Sequence, residues 1–523
     1  MKRILLLLLP LLPLLACERE DLPGTGARAP EGVRHGMIEL GEKLEDPYTV
    51  ENMRQAATKL YPTKAGRLNI ETTDLYVRFL PKDDGELKTL KAQGVYLLDH
   101  PMDYRILREG DYYQDPEVGE DAITWQYAVV GKDFSFPEGI TYEVLDECYL
   151  AEHDPATKAQ ADIDWTAVER EAFRLTGNED LLAADTKGSP AVPAGRITIE
   201  DPGFSGGKPF GVAGVKVVCN IFVKIAQTYT TRDGYYEMPM SFTGNPRYRL
   251  VFQNEKGFNI GFNFILIPAS VSTLGKGGPE GIDYHINTSS DAALFRRCAV
   301  NNAAYDYYSR CTETDLDIAP PPGDLRIWIF PGLSASSACM LHHGAFLDHD
   351  LLQRYLGLWI HLIQIFLPDI TIGTSGQENY AAIYGVVSHE LAHASHYAKV
   401  GNTYWTPYIQ YVIHSFVTKG GLAYGDGLGT GAGYCEIGEM WAYFAQASLT
   451  KDRYKGAMEL YGNRFWFKPD IFTYLYERGM SRSEIFRALT PEVTTVEDLQ
   501  EELIAIAPKL EPDIRSTFSR YGK

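Results

Sequence analysis

Apolar positions along the chain follow two periods. Residues Leu75-Tyr76-Val77-Arg78-Phe79-Leu80 alternate as a half-buried strand does, and Glu86–Ala92 reads as a short helix. Gly94–Leu98, Ile123–Val130 and Tyr142–Leu145 predict further strands, so 66–155 reads as a small α+β module. A charged helix around Trp165–Leu175 lies in a connector, 156–195, which ends in the linker-like run Ser189-Pro-Ala-Val-Pro-Ala-Gly195. From 196 to 270 the pattern is all β: Val212–Val218, Ala226–Thr231, a turn at Arg232-Asp233-Gly234, then Tyr235–Met238 and Tyr248–Phe252. Gly275–Gly281 predicts another linker, and it lacks the Gly-Lys-Ser/Thr ending of a phosphate loop. In 280–523, strands at Leu325–Phe330 and Asp369–Ile372 precede a long helical pattern. The expected fold is multidomain α+β: a small α+β N-terminal module, a β-sandwich middle domain and a mainly helical C-terminal domain.

The first residues follow another pattern. Met1-Lys2-Arg3 is basic, and Ile4–Leu15 is nearly all Leu but too short to span a bilayer as a stable helix. This describes a signal peptide, 1–16, before a tether and short helix, 17–65. Leu14-Leu15-Ala16-Cys17 resembles a bacterial lipobox, which implies cleavage before Cys17 and lipidation of its thiol. Glu18-Arg19-Glu20-Asp21 resembles the surface-export signal of Bacteroidota-like lipoproteins. No later segment reads as membrane-spanning: Tyr355–Leu367 is short and carries His361 and Gln364. The expected address is extracytoplasmic, anchored by lipid to the bacterial outer membrane, with the cell surface as the placement the acidic run suggests.

Of the 523 residues, 45% are hydrophobic and 23% charged, as in ordinary globular chains, which argues against wholesale disorder. A formal charge of −20 makes nucleic acid a poor partner. With Cys17 reserved for lipid, six cysteines remain, without a Cys-x-x-Cys pair, and Cys298–Cys311 is the disulfide that sequence proximity suggests. Gly214-Val215-Lys216-Val217 followed by Thr231-Arg232-Asp233-Gly234-Tyr235-Tyr236 resembles the carboxypeptidase regulatory-like, transthyretin-type sandwich. That resemblance implies an accessory domain.

The chemistry centres on His389-Glu390-Leu391-Ala392-His393, an H-E-x-x-H motif. Tyr380, Ile383, Tyr384, Val387, Leu391, Ala394 and Ala398 place it on a helix, with Ser375 and Glu378 as a capping box. Two histidines one turn apart share a face and can hold one Zn2+, and Glu390 flanks the ion as general base. A third ligand is required. Lys399 occupies the position of a metzincin's third histidine, and His396 rises too far along the helix to converge with the pair. Glu436–Ala445 reads as a second helix, and "HELAH…GEMWAYF" resembles a gluzincin-type zinc peptidase, which implies Glu439 as the ligand, with Glu436 as the alternative. Tyr443 and His396 are the candidate oxyanion donors. The glycine-rich stretch Gly420–Gly433 is a candidate cleft wall, whereas His342-His343 reads as an exposed loop.

The function expected is a lipid-anchored zinc metallopeptidase whose partners are a peptide or protein substrate and the membrane. The alternatives are an inactive glycan- or protein-binding surface lipoprotein and a non-peptidase zinc hydrolase.

Overall fold

The computed structural model describes residues 36–523 except 65–67, 120–121, 160–161, 184–189, 262–268, 290, 313–315, 345–366, 378 and 419–423. The signal peptide, Cys17 and the acidic run lie outside the described residues, as does nearly all of Tyr355–Leu367. No helix among the described residues is long and apolar enough to cross a membrane.

The chain begins with β1 (Glu39–Lys43), α1 (Val50–Leu60), β2 (Asp74–Leu80), α2 (Asp84–Ala92), β3 (Tyr104–Arg108), β4 (Gln126–Gly131) and β5 (Thr141–Cys148). Local caps start the helices: Thr49 accepts from the Asn52 amide, and Asp83 from that of Glu86. β2 is the centre of an antiparallel sheet ordered β4-β2-β5, and β1 pairs with β3 in a separate ribbon. The strand expected at Gly94–Leu98 does not form. Only Leu98 bridges, to Tyr127, while the apolar side chains of this stretch wall a cavity. α3 (Trp165–Leu175) then packs on α1.

The middle region holds two sheets. In one, β6 (Ala194–Ile199) pairs with α-flanked β7 (Phe210–Gly211), which follows α4 (Pro202–Ser205), and also with β10 (Tyr235–Glu237) and β14 (Tyr284–Ile286). The other runs through β8 (Val215–Ile221), β9 (Lys224–Tyr229), β11 (Arg247–Asn254), β12 (Asn259–Gly261), β13 (Val271–Lys276), β15 (Arg326–Phe330) and β16 (Ile370–Gly373). Its order is β16-β15-β12-β11-β8-β9, with β13 also on β11. The turn at Gly234 requires glycine: φ is +79°, and a Cβ would lie 2.1 Å from the Ile197 carbonyl oxygen.

Gly275–Gly281, expected as a linker, is instead built into the sheets. β13 ends on it, Gly278 bridges to Gly281, and β14 resumes pairing three residues later. The parallel pairs β12–β15 and β15–β16 carry the same sheet into the C-terminal region. Interstrand hydrogen bonds therefore join the two regions.

α5 (Ala292–Thr312) lies between sandwich and helices. Asn301 and Asn302 donate to the Ala213 and Gly211 carbonyls, and the Tyr307 hydroxyl reaches Ser395 at 3.0 Å. The expected Cys298–Cys311 disulfide is absent, because both residues sit on this helix. Thirteen residues apart, they are separated by about 20 Å along its axis, far beyond disulfide reach. All six described cysteines are free thiols. The remaining helices are α6 (Tyr380–Thr418), α7 (Ala432–Tyr454), α8 (Asp470–Glu477), α9 (Arg482–Ala488), α10 (Val496–Ile506) and α11 (Glu511–Arg520). The fold is mixed α+β, with N-terminal strands and helices, a multi-sheet middle and a helical C-terminal region.

Candidate metal centre

α6 starts one residue after Asn379, whose side-chain oxygen accepts from the Ala382 amide at 2.9 Å. Asn379 therefore caps the helix where Ser375 with Glu378 was expected, and Glu378 lies outside the described residues. Tyr380, Ile383, Tyr384, Val387, Leu391 and Ala394 are buried as their spacing predicts, but Ala398 is exposed. The helix is flanked on two sides, by α5 through Tyr307 and by α7 through Trp441, whose indole donates to the Ala392 carbonyl at 3.0 Å. Small residues at the contact, Ala392, Ala442 and Ala445, are all buried and let the helices approach.

This packing brings His389, His393 and Glu439 together in one buried group. The two Nε2 atoms are 3.2 Å apart. Glu439 Oε2 is 3.5 Å from His389 Nε2, and its Oε1 is 3.6 Å from His393 Nε2. Two imidazole nitrogens and a carboxylate facing one point could hold a metal ion. Burial alone would raise the Glu439 carboxyl, but His393 and His389 outweigh it and hold the group well below the usual carboxylate range.

Glu436, the alternative ligand, points elsewhere. Its carboxylate pairs with the Lys523 ammonium near the chain end, and it is not in the cluster. Glu390 is 5% exposed, and its Oε2 has no hydrogen-bond partner among the described residues. Burial pushes its carboxyl up to about 8, with His389 acting against the shift and Glu439 adding to it.

Tyr443 lays its ring edge-on to His389, with centroids 4.5 Å apart, and its hydroxyl meets that of Tyr424 at 3.1 Å. His396 is not in the cluster. It is completely buried and boxed by Tyr404 and Trp405, and neither ring nitrogen has a hydrogen-bond partner among the described residues. Burial first, then His393, pushes it down to about 3, so the ring stays neutral. His342 and His343 are tied to Asp324 and Asp369 at 3.1 and 2.9 Å, and no metal-holding group forms around them among the described residues. Of the glycine-rich stretch, 420–423 lie outside the described residues, and the rest leads into α7.

Sequence reasoning missed Tyr408. Its hydroxyl donates to Glu439 Oε1 at 2.6 Å. Fifteen residues beyond His393, it would stand about 22 Å away on a straight helix. Gly401 breaks that path with φ +71° and ψ −174°, so Tyr404, Trp405 and Tyr408 pack back on the histidines. Only the breaker glycine could have signalled this fold-back, and it does not name the tyrosine. The Nδ1 atoms of His389 and His393 have no hydrogen-bond partner among the described residues, so aromatic packing orients these rings. No protein-family model matches the chain, and no curated protein matches it by sequence.

Proposed function

We propose that the chain is a lipid-anchored, extracytoplasmic zinc metallopeptidase of gluzincin type, with His389, His393 and Glu439 as ligands and Glu390 as general base. The observation that carries this reading is the buried His₂Glu group with an unpartnered carboxylate beside it. Donors about 2.0–2.1 Å from one tetrahedral zinc ion stand roughly 3.3–3.4 Å apart. The two nitrogens, 3.2 Å apart, and the carboxylate, with one oxygen 3.5 Å from His389 and the other 3.6 Å from His393, come close to that spacing.

Zinc, when bound, supplies Lewis-acid activation of a water and of the substrate carbonyl. Glu390 takes the proton of the attacking water and delivers it to the leaving nitrogen. Burial strengthens its carboxylate as a proton acceptor. Tyr443, held by Tyr424, is positioned to donate to the oxyanion. The lipid anchor and the exported address rest on the Leu14–Cys17 pattern. Digestion of a mixed peptide library tests the reading. Wild type should cleave, chelator should abolish cleavage, and Glu390→Gln should keep its metal while losing about 10²- to 10⁴-fold in rate. Undiminished turnover by Glu390→Gln would refute the general-base role.

A further inference from the structure

A cavity of about 190 Å³ lies between the N-terminal module and the sandwich sheet, and none of its lining residues belongs to the histidine cluster. Leu97, Leu98, Tyr96 and Val251 give it apolar walls, but its polar lining is unusual for so acidic a chain. Lys91, Lys216 and Arg249 all face it.

The carboxylates that line the cavity are already engaged. Asp99 accepts from the His100 ring at 2.7 Å and from the Tyr113 amide at 2.6 Å. Asp111 accepts from Arg297 at 2.8 Å and from the Thr273 amide at 3.2 Å. Farther out, Asp84 is held by Arg326 and Lys88, and Asp324 by Lys88. Arg249 is buried and uses its guanidinium on two neutral groups, Asn220 and the His100 ring.

Among the described residues, the two ammonium groups pair with no carboxylate. Lys216 donates to the neutral Gln253 oxygen at 2.9 Å and lies over the Tyr229 ring, 5.2 Å from its centroid. The Lys91 ammonium makes no hydrogen bond or ion pair to any described residue, and the carboxylates that act on it from a distance, Asp84 and Asp324, are those already held by Arg326 and Lys88. Burial and the nearby Lys216 push the Lys91 ammonium down to about 8. Two adjacent cations in a semi-enclosed space are costly unless an anion joins them. On the same wall, the buried side-chain oxygen of Gln227 accepts from no donor among the described residues.

We propose that this cavity binds a small hydroxylated carboxylate, a sugar acid by chemical class, with the carboxylate held by Lys91 and Lys216 and a hydroxyl donating to Gln227. The remaining apolar wall covers the carbon body. The site is independent of the histidine cluster and would stand if no metal bound there.

Titration calorimetry on the full chain tests it, with D-glucuronate as probe and D-glucose, acetate and inorganic phosphate as controls. Saturable glucuronate binding is expected, with glucose, which lacks the carboxylate, silent, and with acetate and phosphate, which lack the hydroxylated carbon body, each weaker by about tenfold or more, the scale of one hydrogen bond plus the buried carbon surface. Lys91→Met should weaken glucuronate binding by about tenfold or more, while its thermal melt stays at or above that of wild type, because it removes a half-buried charge that pairs with no carboxylate among the described residues. If Lys91→Met does not fold, Lys216→Gln is read by the same loss. The proposal is overturned if glucuronate does not bind, if glucose, acetate or phosphate matches it, or if a folded lysine variant binds it unchanged.

Discussion

Tyr408→Phe isolates a single oxygen. The tyrosine is 6% exposed, and its hydroxyl donates at 2.6 Å to a carboxylate that is 2% exposed. Phenylalanine keeps the ring tilted against those of Trp405 and His393, with centroids 4.9 and 5.9 Å away, so the packing survives. A hydrogen bond to a buried charged group contributes about 1.5–3 kcal/mol. Without it, Glu439 is both less well oriented and more readily protonated, so a metal must compete with a proton. At about 1.4 kcal/mol per tenfold, zinc affinity should fall by roughly 10- to 100-fold, the range found for groups that orient metal ligands. Competition against a chromophoric chelator at fixed pH measures this directly. An unchanged zinc Kd in a folded variant would refute the claim that Tyr408 organises the site.

The two glutamates of α7 should behave oppositely: Glu439→Ala should abolish zinc uptake, whereas Glu436→Ala should keep it, because Glu436 is committed to Lys523. Metal analysis of both variants checks this. Asp46 gives a pH signature remote from the metal. Burial pushes its carboxyl up to about 8, and Oδ2 has no hydrogen-bond partner among the described residues. The folded chain therefore holds a proton that the unfolded chain releases between about pH 4 and 8. Its contribution to stability falls as pH rises through that window and levels off above it. Asp46→Asn should flatten the decline in denaturant midpoint between pH 5 and 8. Finally, thiol titration of denatured, unreduced protein should find the six described cysteines reactive, since none is bridged.

Where patterns are local, the sequence was readable. The strands at Leu75–Leu80 and Leu325–Phe330, the helix around His389 and the helix carrying Glu439 all appear near their expected places, because alternation and helical spacing are properties of neighbouring residues. The ligand set was partly legible: spacing put the histidines on one face, but only tertiary packing separates Glu439 from Glu436. Long-range pairing was not legible. The β1–β3 ribbon joins residues some 60 positions apart, and β12–β15 carries the sandwich sheet into a region that reads as separate. Gly275–Gly281 has linker composition, yet close backbone approach uses the same glycines: a Cβ on Gly281 would lie 1.9 Å from the Ala194 oxygen. Tyr408 was invisible because its position depends on the backbone turn at Gly401, which no periodicity encodes.

Elemental analysis of the protein purified without added metal or chelator tests the central claim most directly. About one zinc per chain in wild type, lost in Glu439→Ala, is the expected result. Metal-free wild type that also fails to take up added zinc would contradict it, as would a Glu439→Ala variant that retains full occupancy.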